Sequence, residues 1–328
     1  MGISGLLPLL KPIQVRRHLD DFRGQTLAID AYVWLHRGTY NCATDLAQGR
    51  PTTRHVDYVM HKVRLLRHHG IKPYFVFDGG PLPAKRGTEV ERRQRREECK
   101  RKGDALAKQG RHKEAREFYC KAVDVTPEMA YQVIKALKAE GVDYVVAPYE
   151  ADAQLAHLER AGLVDGIITE DSDLLVFGCK RVLYKFDPAS LSLVSVSRSD
   201  FGAVPGIAGW TDGQFRAMAI LSGCDYLPSV NGVGLKTALK LLRKHRTLDG
   251  AIRGLRLDGK YSIPREYAEA AKRAELVFLH QRVFDPVQQR LVHLAPRDDG
   301  MKHMSESARV AVTVRCRPCS HVWQGLGY

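Results

Sequence analysis

Seven carboxylates stand where short β-rich runs of this chain give way to something else. Asp30 closes TLAID, Asp78 closes YFVFD, Glu150 and Asp152 follow VVAPY, Asp171 and Asp173 follow IIT, and Asp225 lies in SGCDY. In an open parallel sheet the carboxyl ends of the strands meet along one edge, so acids far apart in sequence converge there. Like charges a few ångströms apart raise one another's pKa, and divalent cations relieve that conflict. Carboxylate oxygens without accompanying His or Cys select magnesium, with manganese able to substitute, over zinc. Two such ions about 4 Å apart lower the pKa of an attacking water and stabilise a leaving oxygen, which suits hydrolysis of a phosphodiester. One Asp after a strand is commonly a turn former or a helix cap. Seven, with Glu-Ala-Asp and Asp-Ser-Asp each spacing two acids two residues apart, predict a metal site. Glu170 reads as a neighbour of that site and not a ligand.

The elements that must position these acids follow from pattern. QTLAIDAY, PYFVFDG, DYVVAPY and GIITEDSD are compact and apolar, as strands covered on both faces are. They alternate with helical stretches, so the expected fold is α/β with a mainly parallel central sheet flanked by helices. Val56, Val59, Met60, Val63 and Leu66 form a helical stripe closed by Gly70. Thr126 and Pro127 open another helix.

Between the second and third of these strands, residues 82–125 read as a helical insertion. Residues 85–102 carry nine Lys or Arg against four Glu, a local excess of five positive charges. Across the 328 residues, 51 Lys and Arg against 37 Asp and Glu give a net charge of +14. That balance favours a polyanion such as nucleic acid, with an acidic membrane surface as the bland competitor. No run approaches the roughly 20 apolar residues of a membrane span. The seven scattered cysteines do not form a disulfide framework and predict a reducing compartment, and MGISGLLPLLKP carries no export signal. In SGCDYLPSVNGVGLKTALKLL a helix ends at Gly223, a loop holds Gly232 and Gly234, and a helix begins near Leu235. Backbone N–H groups at such a turn can grip a phosphate.

MGISGLLPLL, the strand ending in Asp30, VFDG, VAPYEADAQLAHL, ITEDSDLLVFG and LSGCDYLPSVNGVG together resemble the flap-endonuclease (XPG/Rad2-like) superfamily of structure-specific 5′ nucleases. The resemblance spans roughly residues 1–295 and implies a PIN-like core that cuts 5′ DNA ends using two magnesium ions. By carry-over, Asp30, Asp78, Glu150 and Asp152 serve one ion and Asp171, Asp173 and Asp225 the other, with Asp152 a candidate for both. Residues 82–125 become the helical arch, with Lys85 and Arg92 contacting the scissile phosphate and Arg93, Arg95 and Arg96 supporting them. A solvated helix face or a nuclear-import signal is the plainer account of the basic run, and Gly87 and Thr88 interrupt the start of its helix. The stretch at about 212–245 resembles the family's helix-two-turn-helix, which binds duplex DNA with potassium. Ser222, Ser229 and the Val233 carbonyl are then candidate cation ligands, and Gly232, Gly234 and Lys236 candidate DNA contacts. Gly2 resembles the family's buried N-terminal glycine placed against DNA. Tyr32 and His36, four apart on one helix face, are candidates to stack on or wedge apart terminal bases, against core packing as the alternative.

The resemblance divides the chain into a catalytic domain at 1–295 and a divergent tail at 296–328. Within the first lie an N-terminal nuclease region at 1–99 and an internal region at 126–245. HRG after Trp34, GIKPYFVFDGGPLPAK and ELVFLHQRVFDP resemble the exonuclease 1 branch. That branch implies 5′ to 3′ removal of mononucleotides with some flap cleavage, in mismatch repair and end resection. Its substrates would be double-stranded DNA with 5′ ends, nicks, gaps or flaps. The chain is expected to be a nuclear monomer, with mismatch-repair proteins as partners although no recruiting tail is evident. A flap endonuclease with little exonuclease activity is the alternative within the family, and a catalytically inactive DNA-binding scaffold the alternative outside it. Cys316, Cys319 and His321 are too short a set to define a zinc site.

Overall fold

The computed structural model describes residues 2–296. Its main sheet is built from β1 (Val15–His18), β2 (Thr26–Asp30), β3 (Lys72–Phe77), β4 (Asp143–Val146), β5 (Gly166–Ile168), β6 (Arg181–Asp187) and β7 (Ser192–Ser197), in the order β1-β7-β6-β5-β2-β3-β4. The pairings from β6 through β4 are parallel, and β7 and β1 add an antiparallel edge. The sequence reading of a mainly parallel sheet covered on two faces therefore holds. Strand β6 and the antiparallel edge were not part of it; β1 (VRRH) is exposed along its length and carries no apolar signal, while β7 is largely buried.

Side chains alternate across the strands. Ala28, Val76, Ile167 and Val182 enter the core on one face, while Leu27, Ile29, Phe75, Phe77, Ile168 and Leu183 enter the core on the other. The helices, in chain order, are α1 (Leu6–Leu9), α2 (Ala31–Thr39), α3 (Ala43–Ala47), α4 (Arg54–His68), α5 (Arg86–Lys108), α6 (His112–Ala122), α7 (Pro127–Ala139), α8 (Ala151–Arg160), α9 (Asp173–Val176), α10 (Asp212–Ser222), α11 (Leu235–His245), α12 (Leu248–Asp258) and α13 (Tyr267–His280). A second, two-stranded sheet, β8 (Arg282–Asp285) with β9 (Arg290–His293), follows α13 and was not foreseen from sequence. Among the described residues no helix is long and apolar enough to cross a membrane.

The insertion is an antiparallel helix pair, α5 against α6. Gly103 lets the two backbones close, since a Cβ there would lie 2.8 Å from the Tyr119 ring, and the Tyr119 hydroxyl donates to Asp104 Oδ1 at 2.9 Å. The expected interruption at Gly87 and Thr88 does not occur, for α5 runs from Arg86 through both. Thr88 is held from outside the helix, its hydroxyl donating to the Asp225 carbonyl at 3.2 Å. Thr126 caps α7 by accepting from the Met129 N–H at 3.4 Å, with Pro127 in the first turn.

One buried cation lies between α2 and this frame. Lys62 on α4 is 1% exposed, with its ammonium 4.8 Å from the Trp34 ring, 4.7 Å from Tyr58 and 5.2 Å from Phe186. Burial pulls its pKa down to about 8. The unfolded chain keeps that proton to about pH 10.4, so wild-type stability rises with pH across the interval between the two values. A Lys62→Met variant has nothing to titrate there. Thermal denaturation should find it more stable than wild type near pH 7, with an advantage that shrinks by roughly 2–4 °C toward pH 10. A pH-independent difference would overturn this.

Candidate active site

The parallel strands deliver the acids to one edge, as their register requires. Asp30 ends β2 opposite Val76 of β3, and Asp78 follows β3 directly. Glu150 and Asp152 lie at the amino end of α8, Asp173 opens α9, and Asp225 follows α10 in the loop toward α11. Asp30 serves two purposes. One carboxylate oxygen accepts from the Val33 N–H at 3.3 Å and caps α2, while the other accepts from the Thr169 hydroxyl at 3.0 Å. Asp78 accepts from the Ala151 N–H at 2.7 Å, and Asp171 from the Asp173 N–H at 2.9 Å.

These acids are close enough to disturb one another. Burial, reinforced by Asp78, lifts the Asp30 pKa to about 7, and burial lifts Asp78 to about 6. Burial and then Asp171 push both Asp152 and Asp173 well above the ordinary carboxylate range, and burial raises Asp171 as well. Asp225 goes the other way: burial raises it, but Lys85 and Arg92 outweigh burial and lower it.

Lys85 and Arg92, from the base of the arch, reach into the cluster. The Lys85 ammonium pairs with Glu150 Oε1 and lies 3.0 Å from Asp225 Oδ2, and Arg92 Nη2 lies 3.0 Å from the same oxygen. Burial pulls the Lys85 pKa down, yet Glu150, Asp152 and Asp225 together hold it well above its usual value. Among the described residues no three acids close on one point tightly enough to hold an ion as they stand. Charge and donor type nevertheless fit hard divalent cations. The donors are all carboxylate oxygens, Lys85 and Arg92 leave Asp152 and Asp173 frustrated, and Asp173 Oδ1 is buried without a hydrogen-bond partner.

Several residues that hold these acids in place escaped the sequence reading. The Tyr226 hydroxyl donates to Glu150 Oε2 at 2.6 Å, and Gln281 Nε2 donates to that oxygen at 3.0 Å and to Tyr226 Oη at 3.1 Å. Tyr226 and Thr169 adjoin the acid motifs, which is a usable signal. Gln281 has none, since its partner lies 131 residues away. Glu170 lies outside the cluster, paired with Arg37 at 2.9 Å.

Gly2 belongs to the site by contact. Its φ is +78°, and a Cβ there would run into Asp171 Oδ1 and Ser172 Oγ and approach Asp173 Oδ1 to 2.8 Å. The next residue is tied down as well, the Ile3 N–H donating to Ser172 Oγ at 2.9 Å.

Between α2 and the arch lies a cavity of about 800 Å³ whose lining includes His36, Tyr40, Arg92, Arg95, Arg96 and Arg116. Arg93 is exposed and lies outside that lining. Arg96 pairs with Asp124 at 2.8 Å. Burial pulls the His36 pKa below its ordinary value. Tyr32, one turn closer to the sheet, has its hydroxyl pushed up to about 12 by burial and then by Asp78.

The helix-turn element forms as expected: α10 ends at Ser222, Gly223 turns the chain at φ +95°, and α11 starts at Leu235. Gly223 abuts Ser229, its Cβ position lying 3.1 Å from the Ser229 nitrogen. Ser222 Oγ donates to the Ala219 carbonyl at 2.8 Å, and the buried Val233 donates its N–H to Val230 at 2.9 Å. Gly232 (φ +81°) and Gly234 precede α11, and Lys236 is exposed in its first turn. Cys316, Cys319 and His321 lie outside the described residues.

The XPG N-terminal domain model matches residues 1–99 and the XPG I-region model residues 141–225. Exodeoxyribonuclease 1 of Schizosaccharomyces pombe is 45% identical over 297 residues, covering 90% of this chain and 52% of that protein. The DNA damage-inducible protein DIN7 of Saccharomyces cerevisiae is 39% identical over 297 residues, 90% of this chain and 69% of its own length. The chain thus spans about half the length, or less, of the curated exonucleases it matches. The solved catalytic core of Rad2 in complex with DNA substrate shares the fold at a TM-score of 0.60 and 24% identity, covering 84% of this chain and 80% of that one.

Two outcomes follow from the crowded acids. Asp30 and Asp78 hold protons in the folded chain that the unfolded chain releases near pH 4, so in EDTA stability falls as pH rises from about 4 to about 7. Magnesium should therefore raise Tm more at about pH 8 than at about pH 5 in calorimetry, and an equal gain at both would contradict the charge balance described. Gly2→Ala should lower Tm and shrink the Tm gain on adding magnesium, because the added methyl displaces the Asp171–Asp173 turn.

Proposed function

This chain belongs to the XPG/Rad2-like family of structure-specific 5′ nucleases, on its exonuclease 1 branch, and on that premise we propose that it is a metal-dependent 5′ to 3′ exonuclease acting on double-stranded DNA, with 5′-flap cleavage as a second activity. The observation that carries this reading is the meeting of Asp30, Asp78, Glu150, Asp152, Asp171, Asp173 and Asp225 at one sheet edge beneath two arch cations. Asp30, Asp78, Glu150 and Asp152 would hold one magnesium and Asp171, Asp173 and Asp225 the other, with Asp152 able to serve both. When bound, the ions supply an activated water and stabilise the leaving 3′ oxygen.

The chain's own residues do the rest. Tyr226 and Gln281 fix the Glu150 carboxylate, Thr169 fixes Asp30, and Gly2 permits the close approach of the amino terminus to Asp171 and Asp173. Lys85 and Arg92, now paired to Glu150 and Asp225, can exchange those carboxylates for a phosphate and neutralise charge that builds up during cleavage. Arg95 and Arg96 face the cavity where a 5′ end would enter, and Arg93 stands in reserve on the outer arch. The amides at Gly232 and Gly234 with Lys236 would bind the duplex backbone, with potassium held by Ser222, Ser229 and the Val233 carbonyl. A monomer working in the nucleus, in mismatch repair and resection, fits this reading, and the basic charge supports a DNA partner.

The test uses the purified chain, a duplex with a recessed 5′ end and a separate 5′-flap duplex, each 5′-labelled, with magnesium or EDTA. Mononucleotides released from the recessed end, absent in EDTA and reduced about 10²-fold or more by Asp173→Ala, are the expected result. Flap-length products alone would assign the chain to flap cleavage. Binding without cleavage, unchanged by the substitution, would leave a DNA-binding scaffold.

A further inference from the structure

We propose that the cavity at the far end of the α10–α11 hairpin, rimmed by Lys240, Arg243, Lys244 and Arg246 around Trp210, docks an acidic peptide segment of a partner protein while the chain is bound to DNA.

The cavity lies at the opposite end of the hairpin from the turn at 223–234. The start of α10 meets the end of α11, since Gln214 Nε2 in the first turn of α10 donates to the Arg246 carbonyl at 3.3 Å. The 11 residues of α11 therefore separate this end from Gly234 by roughly 16 Å. The segment that leads into α10 closes the other wall, where a Cβ on Gly206 would lie 3.5 Å from the Leu239 side chain. The enclosed volume of about 560 Å³ suits a short segment or a small ligand.

Helix ends commonly collect Lys and Arg, which offset the helix dipole, so a basic last turn says little by itself. Here the cations are uncompensated. The acids that open α10 and α12 are engaged elsewhere, Asp212 with Arg198 and Asp249 with Lys272 at 3.2 Å. No Asp or Glu lines the cavity, its four cations are exposed, and none of them pairs with a carboxylate among the described residues. Arg92 and Arg96 under the arch, in contrast, are both paired. Four free positive charges around one concavity favour an anionic occupant. The guanidinium groups of Arg243 and Arg246 can each grip a carboxylate through two bonds, while Lys240 and Lys244 add point charges.

Trp210 selects among anions. Its ring packs against the main core and most of its surface is covered, which leaves little of the open face on which a nucleic-acid base stacks. What remains, together with Ala208, makes a small apolar floor inside a basic rim. That combination fits an acidic peptide carrying one apolar anchor, the mode in which arginine clusters read acidic motifs. The distance from Gly234 lets such a peptide bind without competing for the duplex.

The test uses the purified full chain and a fluorescein-labelled peptide, Asp-Glu-Asp-Phe-Glu-Asp-Glu, followed by anisotropy in EDTA with and without a saturating 5′-recessed duplex. The peptide should bind both forms equally within about 2-fold, more weakly as salt rises. Arg243→Glu combined with Lys244→Glu should lower its affinity about 10-fold or more, with duplex affinity and magnesium-dependent cleavage unchanged within about 2-fold. Both positions are exposed, so Tm should stay within about 1 °C of wild type. Replacing the peptide's Phe by Ser should cost about 5-fold or more, which tests the apolar floor without touching the fold. Displacement of the peptide by the duplex or by oligothymidylate, or a matching loss of duplex affinity in the charge-reversed chain, would make this face a nucleic-acid surface and overturn the proposal. So would an absence of peptide binding, or binding indifferent to the charge reversal. A chain that binds the peptide as described but never cleaves DNA would keep the docking site and sink only the nuclease reading.

Discussion

Repulsion among buried carboxylates is the constraint to which most of this structure answers. Asp30, Asp78, Asp152, Asp171 and Asp173 all have their pKa values raised by burial first and by neighbouring carboxylates after it. A fold tolerates such a cluster only where backbone and side-chain donors orient the acids and nearby cations compensate them. Thr169, Tyr226, Gln281 and the amide of Ala151 orient, and Lys85 and Arg92 compensate. The compensation is uneven. It satisfies Asp225, whose pKa falls, and leaves Asp173 with an unpartnered oxygen. The site is therefore built to take up further positive charge, at a cost in stability to the chain alone.

The arch is coupled to the acids by the same electrostatics. Thr88 and Arg92 of α5 both contact Asp225, and Lys85 spans Glu150 at the start of α8 and Asp225 in the loop after α10. The base of the insertion is thus fastened to the site by ion pairs and one hydroxyl, while its body rests on the Gly103–Tyr119 contact. An anion that drew Lys85 and Arg92 away would loosen the base of the arch and release the acids in one event. Entry of such an anion and release of the acids would be physically linked by that exchange.

Legibility in the sequence divided along the range of the interactions. Strands β2 to β5, the helix following Asp30, the Gly70 and Thr126 boundaries and the turn from Gly223 to Leu235 were readable because each depends on residues a few positions apart, whereas β6 and β7 were not read. The convergence of the acids was readable too, because a parallel sheet places strand ends together by its topology. Gly87 and Thr88 misled because glycine's helix penalty is a local quantity, and the Asp225 carbonyl that holds Thr88 comes from 137 residues away. The edge strand β1 and the β8–β9 pair lacked an apolar alternation to announce them.

The amino-acid order by itself determined the acids, their strand-end positions, the basic insertion and the family to which the motifs point, since these need only residue type and short-range spacing. Only the tertiary structure decided which groups surround each acid. That Gln281 steadies Glu150, that Gly2 lies against Asp171 and Asp173, and that Tyr40 opens onto a cavity walled by α5 and α6 are consequences of contacts between distant segments. The physical reason is that burial and Coulomb interactions, which set the acidity of these carboxylates, depend on distance in space and not on separation along the chain.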